Sequence, residues 1–271
     1  MQIYNLENDN RKYVKTLDNF HVLEYVGDAS VSPKNAQTEY FMKAMNVRKK
    51  QVVIDIDHSH CAIVQKGALQ WQAGKVQATT GVKGVGDFLG KSIKGKMTNE
   101  SAVKPEYIGE GIIVLEPTYK YILLQDVEAW GKDGVTIEDG MFLACDANVS
   151  NKLVSRKSVS SAVLGNEGFF NLSLSGKGVV ALESNVPENE LVEVVLEGDE
   201  LKIDGDLALC WSTSLEFTVE RSSKTLVGSS FTGEGLLNVY RGYGRILMSP
   251  VSLTFSLEAA TNNPPRPEDE D

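Results

Sequence analysis

A chain of 271 residues with 27 Lys and Arg against 37 Asp and Glu carries a formal net charge of −10, a balance that opposes general binding to nucleic-acid phosphates or anionic membranes. Its apolar content of 42% suits a globular protein able to bury a sizeable core, and no apolar run approaches the roughly 18 residues that a transmembrane helix needs. Three cysteines, Cys61, Cys145 and Cys210, with no Cys-x-x-Cys pair argue against a disulfide framework or a cysteine metal site.

The opening MQIYNLENDNRKY is polar and partly acidic, unlike a signal or transit peptide, so a soluble, cytoplasmic protein is expected. Residues 1–50 read as N-terminal strands and a short helix near 33–45. Ser32-Pro33 supplies a cap and a first-turn residue, and Ala36, Tyr40 and Ala44 follow at helical spacing. From residue 51 the period changes to two: Val52, Ile54 and Ile56, then Leu215, Phe217 and Val219, then Val251, Leu253, Phe255 and Leu257 each line one face of a strand. Asp-Gly pairs at 133–134, 139–140 and 204–205, and glycine pairs at 176–178 and 242–244, punctuate these strands as turns do in sandwiches and barrels. An all-β fold with one short N-terminal helix is therefore expected. The tail 259–271 ends in TNNPPRPEDED, which joins Pro to like charges without an apolar residue, and this predicts disorder.

One phrase recurs along the body. GEGIIVLEPTYKYILLQDV (109–127), NEGFFNLSLSGKGVVALES (166–184) and GEGLLNVYRGYGRILMSPV (233–251) share Glu-Gly followed by paired apolar residues. A second phrase links IEDGMFLAC (137–145) with KIDGDLALC (202–210), and VQKGALQW (64–71) stands in the same place of an earlier unit. The body 51–258 thus divides into units of about 51–127, 128–190 and 191–258.

The segments KPEYIGEGIIVLEPTYKYILL, DGMFLACDANV, SSAVLGNEGFFNLSLSGKGVVALES and GEGLLNVYRGYGRILM resemble the family called altered inheritance of mitochondria protein twenty-four, its bacterial branch most. The resemblance covers nearly all of 51–258. It implies repeated double-stranded β-helix units, similar in fold to the tryptophan RNA-binding attenuation protein. The label of regulator that bacterial members carry rests on that fold analogy and assigns no activity. A fungal member is associated with mitochondrial inner-membrane organisation, whereas this chain lacks a presequence-like start. The resemblance implies no catalytic residue.

Three clusters invite chemistry. His58 and His60 in HSHC, behind Asp55 and Asp57, would share one side of a strand and could hold a metal as a cupin His-x-His does. The cupin pattern then requires a Glu where Val64 or Gln65 stands and a later His, which the chain lacks after residue 60. Aligned with the third unit, HSHC falls opposite EGDE (197–200), and both read as surface turns. GVGDFLGKSIKGK (84–96) ends a Gly90-Lys91-Ser92 triplet, but the first glycine of a phosphate loop would fall on Val85. What remains is a local basic patch of Lys83, Lys91, Lys94, Lys96 and Lys104, whose plainer reading is a solvated loop. Glu110, Glu167 and Glu234 recur before a Gly, which suits a repeated turn contact to backbone N–H groups. Cys145 and Cys210 end equivalent strands and read as buried apolar residues.

No Gly-x-Ser-x-Gly is present and histidine is confined to positions 21, 58 and 60, which leaves little for hydrolase chemistry. No cofactor is called for. The residues point to a non-enzymatic structural or regulatory protein that self-associates as a β scaffold, with a homo-oligomer as its expected partner state. The alternative is a ligand-, RNA- or anion-binding module using the Lys83–Lys104 loop, disfavoured by the net charge. A cupin-like metalloprotein on His58 and His60 is third.

Overall fold

The computed structural model describes residues 1–27, 29–79, 104–155, 157–158, 170–221 and 236–252. In chain order its strands are β1 (Arg11–Leu17), β2 (Phe20–Tyr25), β3 (Lys50–Ile56), β4 (Ala62–Val64), β5 (Leu69–Thr79), β6 (Glu106–Leu115), β7 (Tyr121–Asp126), β8 (Val135–Ile137) and β9 (Phe142–Asp146). They continue with β10 (Val149–Ser155), β11 (Lys157–Ser158), β12 (Phe170–Gly176), β13 (Val179–Ser184), β14 (Val192–Asp204), β15 (Ala208–Ser212), β16 (Glu216–Arg221) and β17 (Leu236–Met248). One α-helix, α1 (Ala36–Ala44), lies between β2 and β3. The protein is mostly β, as the period-two patterning predicts.

The strands form two curled sheets. The first runs β1-β2-β3-β6-β4-β9-β13-β7 with β5 added to β6; the second runs β10-β12-β8-β15-β17-β16-β11 with β14 added to β17. Pairing among the described residues is antiparallel except for β11 with β16. The first sheet curls until its ends meet. Lys50 and Thr118 exchange backbone hydrogen bonds of 2.8 Å each way, and Glu188 accepts from both Lys15 on β1 at 2.5 Å and Gln125 on β7 at 3.3 Å. This curl explains β3, where Gln51, Val52, Val53, Ile54 and Ile56 are all buried and only Asp55 is exposed. Both faces of a strand inside a curled sheet find cover, so simple alternation is lost.

Burial falls into three main clusters. One fills the first sheet with Phe20, Val22, Ile54, Ile113, Leu115 and Leu124. Another fills the second with Leu196, Tyr240, Ile246 and Trp211, where the Trp211, Phe217 and Tyr240 rings lie 4.9 to 5.5 Å apart. Between them a third draws Leu123, Phe142, Val180 and Leu182 from the first sheet and Ile137, Leu172, Leu174 and Cys210 from the second. The sheets are thereby welded into one body.

Several expectations need refinement. The helix begins at Ala36, because Pro33, Lys34 and Asn35 form a preceding turn in which Ser32 O accepts from the N–H groups of Asn35 and Ala36. No residue of α1 is buried, and Tyr40 is 70% exposed, so the stripe of Ala36, Tyr40 and Ala44 does not face a core. The recurring phrase takes two local shapes. At 109–127 it spans β6, a turn and β7; its described part at 170–184 runs from β12 in the second sheet through a turn to β13 in the first; at 233–251 its described part runs through β17 without a turn. Pro117 interrupts the first phrase and Gly176-Lys177-Gly178 turns the second, whereas in the third both Gly242 and Gly244 stay within the ladder to β14. No helix among the described residues is long and apolar enough to cross a membrane. The residues of the acidic tail, 259–271, lie outside the described set.

Candidate functional site

HSHC occupies the turn between β3 and β4, so His58 and His60 are not neighbours on a strand face. Asp57 organises the turn: its Oδ1 accepts from the backbone N–H of Ser59 at 2.7 Å and of His60 at 2.9 Å. The same carboxylate holds His60 Nδ1 at 2.9 and 3.0 Å from its two oxygens. This hydrogen bond raises the His60 pKa above the ordinary imidazole value, against a smaller opposing effect of burial. His58 is exposed. Asp55 pairs with a different histidine, His21, at 3.1 Å, and His21 is fixed on its other side by Thr16 Oγ1 at 3.0 Å. The two aspartates that would complete a metal site with His58 and His60 are therefore engaged separately. A cleft of about 320 Å³ opens beside the turn, lined in part by Asp18, His60, Asp126, Glu128, Asp146 and Lys177. Among the described residues, no group of three or more His, Cys, Asp and Glu is arranged to hold a metal ion.

Of the basic patch, Lys83, Lys91, Lys94 and Lys96 lie outside the described residues. Lys104 is described, with its ammonium 4.8 Å from the centre of the Phe142 ring. Glu110 stands within β6 opposite Lys75 rather than at a turn, while Glu167 and Glu234 fall outside the described residues. EGDE likewise lies inside strand β14, where the register shifts between Glu197 and Asp199 and the ladder continues to Asp204. A bulge absorbs the glycine without ending the strand. The cysteines are free, with Cys145 and Cys210 buried. Burial pushes the Cys210 thiol up to about 12, which removes it as a nucleophile at neutral pH.

Two features escape the sequence reading. Arg241 on β17 forms a two-pronged pair with Glu220, at 2.6 and 3.1 Å, and also reaches Glu200 on β14 at 2.9 Å. Hydrogen bonds from Arg241 and then Thr218 pull the Glu220 carboxyl down to about 2. Arg245 lays its guanidinium 4.1 Å from the centre of the Trp130 ring, joining β17 to the short turn after β7. The Arg241 network ties β14, β16 and β17 together within the second sheet.

The open groups of the molecule are strand edges. Strand β5 pairs with β6 and, among the described residues, with no other strand; β14 pairs likewise with β17 alone. At 11 and 13 residues they are long edges. The β14–β17 ribbon also exposes Val192, Val195 and Tyr243, the last 72% accessible. Residues 42–251 match the family described as Mitochondrial biogenesis AIM24. This chain belongs to the AIM24 family. An uncharacterized protein of Streptococcus pyogenes serotype M6 is 26% identical over 210 residues, spanning 74% of this chain and 82% of its own. A Streptococcus pyogenes protein solved by X-ray crystallography has the same fold, with a TM-score of 0.57 and 24% identity over 78% of this chain and 93% of the other. The AIM24 resemblance of the sequence is thus established, along with the mostly-β fold that it implies.

Proposed function

We propose that this AIM24 protein is a non-enzymatic, cytoplasmic scaffold that self-associates through its strand edges, in a structural or regulatory role. One observation carries the reading: β5 and β14 present long rows of backbone N–H and C=O groups on their outer sides without a strand partner among the described residues. Such edges template pairing with another chain unless they are short, charged, bulged, proline-bearing or covered; β14 carries charge and a bulge, whereas β5 carries one charged residue, Lys75. Neither strand contains Pro. The exposed Val192, Val195 and Tyr243 add apolar area to the same ribbon, the kind of surface that protein contacts cover. Size-exclusion chromatography with light scattering at micromolar concentration tests the proposal. A discrete oligomer is the expected result, and a monomer at all concentrations overturns it.

A further inference from the structure

The long edges of β5 and β14 differ in charge and are similar in length. Strand β14 carries the carboxylates of Glu193, Glu197, Asp199, Glu200 and Asp204 against the single cation of Lys202. Glu193 and Glu200 are met by Arg245 and Arg241 within the chain, while Glu197, Asp199 and Asp204 are exposed with no ion-pair partner among the described residues. Strand β5, LQWQAGKVQAT, has Lys75 as its one charged residue, exposed and likewise without an ion-pair partner among the described residues. Each strand has a glycine at its midpoint in the left-handed region, Gly74 with φ 99° and Gly198 with φ 96°. Both edges thus carry a left-handed glycine at the centre, with arms of about equal length on either side. An acidic edge set against its own copy would juxtapose like charges across a ladder, which opposes pairing.

We infer that the edges join head to tail, the β5 edge of one copy pairing with the β14 edge of the next, so that Lys75 lies against the carboxylates around Gly198. This rests on the self-association proposed above and specifies its interface. A heterologous contact of this kind repeats from copy to copy until it closes into a ring, or extends as a filament when the rotation does not close. The acidic charge of β14 acts as a selector that disfavours pairing of β14 with itself; β5 is similar to β14 in length, whereas the basic end strand β1 has 7 residues and is linked to β7 through Glu188.

Charge exchange tests the interface. One variant makes β5 acidic, Lys75→Glu with Gln77→Glu; a second makes β14 basic, Glu197→Lys with Asp199→Lys; a third combines all four. Each two-site variant is expected to assemble roughly tenfold more weakly than the parent protein in low salt, and the four-site variant to recover the parent's oligomer. Recovery also demonstrates that loss in the two-site variants is not misfolding. An oligomer that neither two-site variant weakens overturns this inference and leaves self-association standing, as does weakening that the four-site variant fails to reverse. Tighter assembly of the basic β14 variant alone points to β14 pairing with itself and also overturns it. A parent protein that is monomeric throughout removes both proposals.

Discussion

Asp57 and His60 show how one residue pair sets a local pH response. The imidazolium is favoured because the Asp57 carboxylate accepts a hydrogen bond from it, so the folded pKa lies above the ordinary value of 6.5. A raised pKa makes this contribution fully present below about pH 6.5 and lost as pH rises through the folded value. Urea unfolding followed from about pH 6 to about pH 9 should therefore show a loss of stability under about 1 kcal/mol that disappears in His60→Asn. Glu220 has the opposite sign. Its pKa is lowered from 4.5 to about 2, chiefly by the hydrogen bond from Arg241, so its contribution is present above pH 4.5 and is lost as the pH falls toward 2. Glu220→Gln should lower stability at neutral pH by about 1 kcal/mol and flatten that part of the acid limb. Equal acid limbs in the variant and the parent would refute the assignment.

At the scale of elements, Gly109-Glu110-Gly111, the first copy of a phrase that the sequence repeats, has a steric reason of its own. In β6 these glycines lie where β5 crosses closely: a Cβ on Gly109, whose φ is 117°, would press into the Lys75 carbonyl oxygen. Gly109→Ala combines left-handed backbone strain with a clash against backbone that cannot yield cheaply. It should cost about 2–3 kcal/mol in chemical denaturation, far more than the same change at an open turn glycine such as Gly140. A second element lesson concerns α1. Its spacing of Ala36, Tyr40 and Ala44 predicts a helix, and a helix forms there, yet no residue of it is buried. Periodicity reports local conformation and a preferred face, whereas burial needs an opposing surface.

The whole molecule depends on the cluster between the sheets. Leu182 is fully buried there, among side chains from both sheets, and Arg245 on β17 covers Trp130 from the other side of the connection. Truncation by Leu182→Ala should cost about 2–5 kcal/mol. Because the cluster is shared, the two sheets should lose structure together: far-UV circular dichroism and tryptophan fluorescence should report one coincident transition in the parent and in the variant. Separated transitions would mean that the sheets fold as independent units.

The sequence by itself determined the mostly-β class, a helix near residues 33–45 that is observed at 36–44, the Asp-Gly turn at 139–140 and the family, since each is written in local patterns of period, turn chemistry or wording. Burial of Cys145 and Cys210 was legible for the same reason, as apolar context surrounds both. Only the tertiary structure decided that Asp55 serves His21 while Asp57 serves His60, and that EGDE continues a strand. It also decided that, among the described residues, the long strands β5 and β14 each keep one side without a strand partner. Those outcomes depend on which distant segments meet, and hydrogen-bond ladders between residues tens of positions apart leave no periodic trace in either segment alone.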